Sequence, residues 1–179
     1  MNSENNILLA IDPGDEYSAF VFMNIDTYKP LYFAKEKNEE CMEHMINYTI
    51  ASFCSDSQGN VTNCAIEMLA SYGMPVGKTT LFTATWVGRF HERLSDYIEN
   101  IDYIYRKDEK LCICGQMKAK DSNIRQALID RFAKFDLKNG RGTIANPDWF
   151  YGFKADVWQA YACGCTWIDA QKGLYELTN

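Results

Sequence analysis

The chain has 179 residues, of which 47% are hydrophobic and 23% charged, and its formal net charge is −6. These values are ordinary for a compact globular protein and exclude a disordered chain, so we expect a single domain over 1–179. No apolar run is long enough to span a membrane and the polar start is unlike a signal peptide, so a cytoplasmic protein with no membrane partner is expected.

Hydrophobic periodicity predicts three strands first, and the short connections between them favour an antiparallel meander. A helix, a fourth strand, a second helix, a fifth strand and two more helices follow. The expected ranges are 7–12, 18–25 and 29–37 for the meander, then 39–53, 64–69, 79–98, 101–106, 121–135 and 154–168. This order predicts an α/β fold, a mixed sheet with helices packed on its faces.

Two groups of residues in these elements each allow two structural interpretations. Seven cysteines include the pairs Cys112/Cys114 and Cys163/Cys165, whose one-residue spacing favours reduced core thiols over a zinc site. On the second helix, Trp86, Phe90 and Leu94 share one side, which suits either the core or a dimer interface.

Three carboxylates are placed where this topology would bring them together. Asp12 ends the first strand, Glu67 lies in the fourth, and Asp156 falls in the first turn of the last helix. In such a meander the first strand is central and the fourth pairs beside it, and a helix crossing the sheet delivers the third acid. Taken alone, each acid also has an ordinary structural interpretation. Asp12 is typical of a turn residue before Pro-Gly, and Asp156 is typical of a helix cap.

Glu67 is the hardest of the three to explain as ordinary core, because apolar residues flank it on both sides. Hard oxygen ligands with no histidine nearby favour Mg²⁺, or Mn²⁺, over zinc. Two such ions per site would clamp the attacking and leaving oxygens of a phosphodiester.

The net charge hides an asymmetry along the chain. Between 104 and 141 there are ten Lys/Arg and five Asp/Glu, a local charge of +5, whereas the remainder carries eight and nineteen, or −11. A basic segment beside an acidic metal site is compatible with DNA binding, and a solvated helix face is its ordinary alternative.

Four segments, in order, resemble the RuvC-type Holliday junction resolvases of the RNase H-like superfamily. They are ILLAIDPG at 7–14, AIEML at 65–69, CGQMKAKDSNIRQALIDRF at 114–132 and YGFKADVWQAYA at 151–162. Details such as ASYGMPVGKTT look closest to the short forms of phages and related bacterial elements.

The resemblance implies a homodimer that binds four-way or branched DNA and nicks it with Mg²⁺, without a small-molecule cofactor. It places Asp12, Glu67 and Asp156 as metal ligands, and Lys118 and Lys120 near the scissile phosphate. The expected DNA contacts are Tyr72, Met74, Lys78, Lys118, Lys120 and Arg125.

One position departs from that family. A fourth ligand often stands three residues before the last acid, and here that residue is Phe153. Water, Asp148 or Gln159 would then complete the coordination, or activity would be reduced.

Two other classes of function remain as alternatives. A non-catalytic branched-DNA-binding protein of the same fold would lack the chemistry. A nucleotide-binding ATPase would use Gly73–Thr79, but only three residues separate its glycines where a Walker A loop has four. A sugar-kinase-like protein needs two large domains, for which the chain is too short.

Overall fold

The computed structural model describes residues 6–54, 59–70, 73 and 75–178. Within those residues strands and helices alternate much as the sequence predicts, with one additional helix. In chain order the elements are β1 (Ile7–Asp12), β2 (Tyr17–Asn24), β3 (Pro30–Lys37), α1 (Asn38–Phe53), β4 (Val61–Met68), α2 (Lys78–Leu94), β5 (Asn100–Tyr105), α3 (Arg106–Cys114), α4 (Asp121–Phe132) and α5 (Val157–Gln171).

The five strands form one mixed sheet in the order β3-β2-β1-β4-β5. The central strand β1 pairs antiparallel with β2 and parallel with β4, and β4 pairs parallel with β5. The predicted meander, the central first strand and its neighbour β4 are confirmed, and with them the α/β mixed-sheet fold class.

Side chains alternate between the two faces of the sheet, and each face carries its own core. Ile7, Leu9 and Ile11 of β1 pack in the cluster that includes residues of α1 and α2. Leu8 belongs to the opposite cluster, which is built largely from α5. That helix is buried along most of its length, so its first residue is held firmly against the sheet.

Two glycines allow close approaches that position the site. A Cβ at Gly14 would lie 2.1 Å from the carbonyl oxygen of Tyr17, so only glycine fits the turn after β1. A Cβ at Gly164 of α5 would lie 2.4 Å from the sulfur of Met23, so glycine lets α5 lie directly on the sheet.

The structure differs from the sequence prediction in one helix and in several element boundaries. Helix α3 was not predicted, β4 spans Val61–Met68 where 64–69 was expected, and α2 and α4 end earlier, at Leu94 and Phe132. Helix α5 begins at Val157, so Asp156 is its N-cap residue and not part of its first turn. Trp86, Phe90 and Leu94 are buried, which assigns them to the core of this chain. In the described part of the chain, none of the helices is long and apolar enough to cross a membrane.

Candidate active site

A row of residues crosses the sheet at the end of β1, and strand register sets its members side by side. Asp12 is opposite Ala19 of β2, and Ala19 is opposite Lys35 of β3. On the other side, Ile11 pairs with Ile66 of β4, so the next residues in register are Asp12 and Glu67.

The carboxylates of this row point toward α5. Residues two apart on a strand share a face, so Asp12 lies on the face of Leu8, and Glu67 on the face of Ala65. Leu8 and Ala65 both belong to the core cluster built around α5. Asp156 precedes the first residue of that helix, so the fold brings together the three acids that the sequence singled out.

The three acids act on one another electrostatically. Burial first, then the negative charges of Glu67 and Asp156, raise the pKa of Asp12 well above its ordinary value. Burial also raises the pKa of Glu67, although the nearby Arg106 acts in the opposite direction. A dicationic ligand among these groups would relieve both the desolvation and the repulsion.

Arg106 and Glu109, in the first turn of α3, belong to the same site and were missed from the sequence. Arg106 donates to the fully buried carboxylate of Glu109, and its Nη1 lies 3.6 Å from Oε2 of Glu67. It also donates to Asp121 at the start of α4. Burial works against the charge of Arg106, but the carboxylates of Glu109 and Glu67 outweigh it and raise the pKa of the guanidinium.

Two carboxylate oxygens of this cluster are buried with no hydrogen-bond partner among the described residues. They are Oε2 of Glu67 and Oε1 of Glu109. A buried acceptor without a donor costs roughly 1–3 kcal/mol, and more when it is charged. Carboxylate oxygens that are buried without a hydrogen bond are suitable donors for a hard cation such as Mg²⁺.

Lys35 forms a salt bridge with Asp156, the third of these acids. Its ammonium group donates to Oδ2 of Asp156, joining the edge strand β3 to the start of α5. Ala155, which directly precedes Asp156, has φ +41°, a left-handed backbone conformation that is unfavourable for a residue with a Cβ. The position of Asp156 is therefore set by a strained backbone on one side and a salt bridge on the other.

The donor chemistry of the site fits a divalent cation, but two of its acids already pair with basic side chains of this chain. Within 6–54, 59–70, 73 and 75–178, no three His, Cys, Asp or Glu side chains are already gathered closely enough to hold an ion. Asp156 is bound to Lys35, and Glu67 lies beside Arg106. Metal loading would therefore require these two pairs to loosen.

The positions considered for a fourth ligand have different environments. Phe153 is fully buried and packs edge-on against Phe33 and Phe150. Asp148 accepts hydrogen bonds from four backbone N–H groups at 2.7–3.0 Å, those of Lys134, Phe135, Asp136 and Trp149.

Although burial opposes it, the hydrogen bonds to Asp148 lower its pKa to about 2. Asp148 therefore anchors a loop, which corrects the expectation that it completes the coordination. Gln159 has a buried Oε1 with no partner in the described part of the chain, so it remains available.

The expected DNA contacts are exposed wherever they are described, except that Arg125 is partly buried. Lys118 and Lys120 are exposed and precede Asp121, the residue that Arg106 ties to the site. Arg125 lies over the ring of Trp158, 4.7 Å from its centroid. Tyr72 and Met74 lie outside the described residues.

Lys78 begins α2 and is exposed. It lines a shallow pocket together with Thr79, Phe82, Asp15 and Glu16. Two acids in that pocket oppose the binding of a triphosphate, so its charge does not favour the ATPase alternative.

No protein-family model and no curated protein matches the sequence. Solved structures that share its fold include two of RuvC from Thermus thermophilus. The first has a TM-score of 0.63 and 11% sequence identity, and the match covers 96% of this chain and 99% of that chain. T. thermophilus RuvC in complex with a Holliday junction substrate has a TM-score of 0.61 and 10% identity, with the same coverage. At such identity the match shows the fold, so the resemblance to RuvC and the RNase H-like fold are confirmed.

Proposed function

We propose that this chain is a structure-selective DNA endonuclease that resolves Holliday junctions or related branched DNA by two-metal phosphodiester hydrolysis. The observation that carries the proposal is the convergence of Asp12, Glu67 and Asp156 at one edge of a RuvC-type sheet. The solved RuvC bound to a Holliday junction, which has the same fold along its whole length, supports branched DNA as the substrate.

Asp12, Glu67 and Asp156 would hold two Mg²⁺ or Mn²⁺ ions, which when bound would supply an activated water and neutralise charge on the leaving 3′ oxygen. The partly buried surroundings of Asp12 and Glu67 strengthen their attraction for a cation. Lys118 and Lys120, exposed beside the site, would hold the scissile phosphate. The products expected are a 5′-phosphate and a 3′-hydroxyl.

A symmetric four-way junction is suited to a homodimer that presents two such sites, and we propose that state for this chain. Leu81 and Phe82 near the start of α2 support it, since their side chains are 59% and 50% exposed on a helix whose other side is core. Tyr72 and Met74, which follow β4 in the sequence, would contact DNA.

A non-catalytic branched-DNA-binding protein of the same fold is the second candidate. The pairing of Asp156 with Lys35, and the position of Arg106 beside Glu67, favour it, because internal cations already compensate two of the three acids. The nuclease is favoured instead by Oε2 of Glu67, which is buried without a hydrogen-bond partner in the described residues and has only the 3.6 Å ion pair with Arg106.

The deciding experiment is cleavage of a labelled synthetic four-way junction in Mg²⁺, Mn²⁺ or EDTA, compared with a linear duplex of the same sequence. Wild type is expected to make paired nicks that need metal, and Glu67→Gln to abolish them while still binding the junction. Asp96→Asn is the matched control, since Asp96 is an exposed acid just beyond the C-terminal end of α2, where it forms a salt bridge with Arg93.

Junction binding without cleavage in any metal would favour the non-catalytic protein. Absence of both binding and cleavage would contradict the proposed function and return attention to nucleotide binding around Lys78.

A further inference from the structure

Glu109 is the most anomalous charged residue in the described part of the chain. Its side chain is 0% exposed, yet Arg106 satisfies only one of its two carboxylate oxygens, and Oε1 is left without a partner among the described residues. Burial of a carboxylate is costly unless its oxygens are paired or coordinate a metal. A role confined to pairing with Arg106 does not account for the free oxygen.

The adjacent residue shows what a purely structural acid looks like in the same helix. Asp108 is 1% exposed and accepts three hydrogen bonds from the C-terminal segment. The donors are the hydroxyl of Tyr175 at 3.0 Å, and the backbone N–H and hydroxyl of Thr178 at 2.9 and 2.6 Å. Asp108 therefore docks the C-terminal segment onto α3, whereas Glu109 faces a different partner.

That partner is the acidic cluster of the active site. One guanidinium, that of Arg106, is in contact with both Glu109 and Glu67. In the described residues, Oε1 of Glu109 is buried without a hydrogen-bond partner, and Oε2 of Glu67 is buried with only the 3.6 Å ion pair with Arg106. The two carboxylates therefore flank the same cation, and Glu109 lies on the side of α3 that faces Glu67.

The formal charges of the cluster leave room for a cation. Five carboxylates are joined there by contacts or by mutual repulsion, and two basic groups oppose them, so the cluster carries a surplus of three negative charges when every acid is ionised, as metal ligation requires. The acids are Asp12, Glu67, Glu109, Asp121 and Asp156, and the bases are Lys35 and Arg106. Divalent cations are the ordinary compensation for such a surplus on oxygen ligands.

We propose that Glu109 is a fourth carboxylate ligand of the metal centre formed by Asp12, Glu67 and Asp156, and that Arg106 holds Glu67 and Glu109 in place while no metal is bound. The inference rests on the proposed function, and it supplies from α3 the ligand that Phe153 cannot. Arg106 releases the two glutamates when the cation binds and remains tied to α4 through Asp121.

The test is Mn²⁺ binding to the metal-free full chain, followed by electron paramagnetic resonance of the free ion and by calorimetry, without DNA. Glu109→Gln is expected to weaken Mn²⁺ binding by about 10-fold or more, the order of loss found when groups that support a metal site are removed. Asp108→Asn, the matched control from the same helix, is expected to stay within about 2-fold of wild type. Glu109→Asp is expected to retain more affinity than Glu109→Gln.

A structural role predicts a different pattern. Glu109→Gln would then change the unfolding temperature of the metal-free protein but leave both the Mn²⁺ affinity and the Mn²⁺-induced rise in that temperature as in wild type. Glu109→Gln leaves the charge of Arg106 with a poorer partner, which complicates the comparison with wild type. A second comparison, between Arg106→Gln and Arg106→Gln/Glu109→Gln, tests Glu109 in the absence of the Arg106 charge. The double variant is expected to bind Mn²⁺ about 10-fold more weakly than the single one.

Glu67→Gln separates this inference from the proposed function. The role of Glu109 would be overturned, and the proposed function left standing, by three results together. Glu67→Gln would lose Mn²⁺ binding, Glu109→Gln would bind Mn²⁺ as wild type does, and the two Arg106 variants would have equal affinities. Absence of Mn²⁺ binding in wild type would overturn both.

Discussion

Lys35 in the edge strand β3 donates a hydrogen bond to Asp156, the residue that starts α5. The two residues belong to elements far apart in sequence, and the charges of both act on the carboxyl group of Asp12 at the end of β1. Lys35 thus supplies a single positive charge to an acid that the proposed function assigns to a divalent cation. Metal and lysine would compete for the same carboxylate.

Removal of Lys35 tests this competition. Lys35→Met is expected to lower the Mg²⁺ concentration that gives half-maximal junction cleavage by several-fold, because Asp156 no longer has to leave a bound ammonium group. The measurement is a Mg²⁺ titration of the initial cleavage rate. Lys29→Met is the matched control, since Lys29 is an exposed lysine that directly precedes β3, at the end remote from Lys35. An unchanged Mg²⁺ requirement in Lys35→Met would show that the salt bridge does not oppose metal binding.

The raised pKa of the buried acids predicts how the metal-free protein responds to pH. Burial and neighbouring charge raise the pKa of Asp12, and burial raises that of Glu67. The folded protein therefore holds these protons at a pH where the unfolded chain, with carboxyl pKa values of about 4, has lost them. Their contribution to stability is full below about pH 4 and is lost as the pH rises through the raised values.

Glu67→Gln removes one of these groups and lessens the repulsion on Asp12. In EDTA, its unfolding temperature should therefore fall less steeply between pH 4 and pH 8 than that of wild type. Asp96→Asn should keep the wild-type slope. Parallel curves for wild type and Glu67→Gln would mean that Glu67 titrates normally in the folded protein.

The sequence predicts the sheet well because its strands are apolar runs with clear ends. The position of Asp12 at the end of β1, and of Glu67 in β4, follows from those runs and from the topology they imply. The position of Asp12 beside Glu67 in the strand register can therefore be predicted without knowing any contact between distant parts of the chain. The same reasoning placed Asp156 in the first turn of a helix expected near 154–168, whereas α5 begins at Val157 and Asp156 is its N-cap residue.

Helix α3 was missed because its buried face carries charge where periodicity requires apolar residues. Asp108 and Glu109 are both buried, so the run after Arg106 looks like a solvated basic segment. The signals that indicate the helix are the acids in its first turn and Gly115, which ends it with φ +67°. The pairing of Arg106 with Glu67, and of Lys35 with Asp156, depends on tertiary contacts and has no local signature.

Gly164 predicts a large effect of a single methyl group. In Gly164→Ala the new Cβ would lie 2.4 Å from the sulfur of Met23 and 2.9 Å from the Cβ of Ala10. Overpacking of this kind costs about 1–3 kcal/mol in the free energy of unfolding. Because the shift moves α5 and with it Asp156, Mn²⁺ affinity should fall as well.

Gly88→Ala is the matched control for that helix substitution. Gly88 lies within α2, and a Cβ there would meet nothing within 4 Å. Alanine should therefore raise the free energy of unfolding by about 0.5–1 kcal/mol through its helix propensity. Equal effects of the two substitutions in chemical denaturation would contradict the close approach of α5 to the sheet.

The basic residues before and within α4 predict the salt dependence of junction binding. Lys118 and Lys120 are exposed beside Asp121, and each phosphate neutralised on duplex DNA adds about −0.9 to the slope of log affinity against log salt. If both lysines contact phosphates, Lys118→Gln/Lys120→Gln should reduce the magnitude of that slope by about 2 in a binding assay with EDTA present. Lys29→Met, on a lysine remote from the site in the strand register, should leave the slope unchanged. If the double variant has both the slope and the affinity of wild type, both lysines lie away from the DNA. If its slope is that of wild type but its binding is weaker, the substitutions have damaged the structure instead.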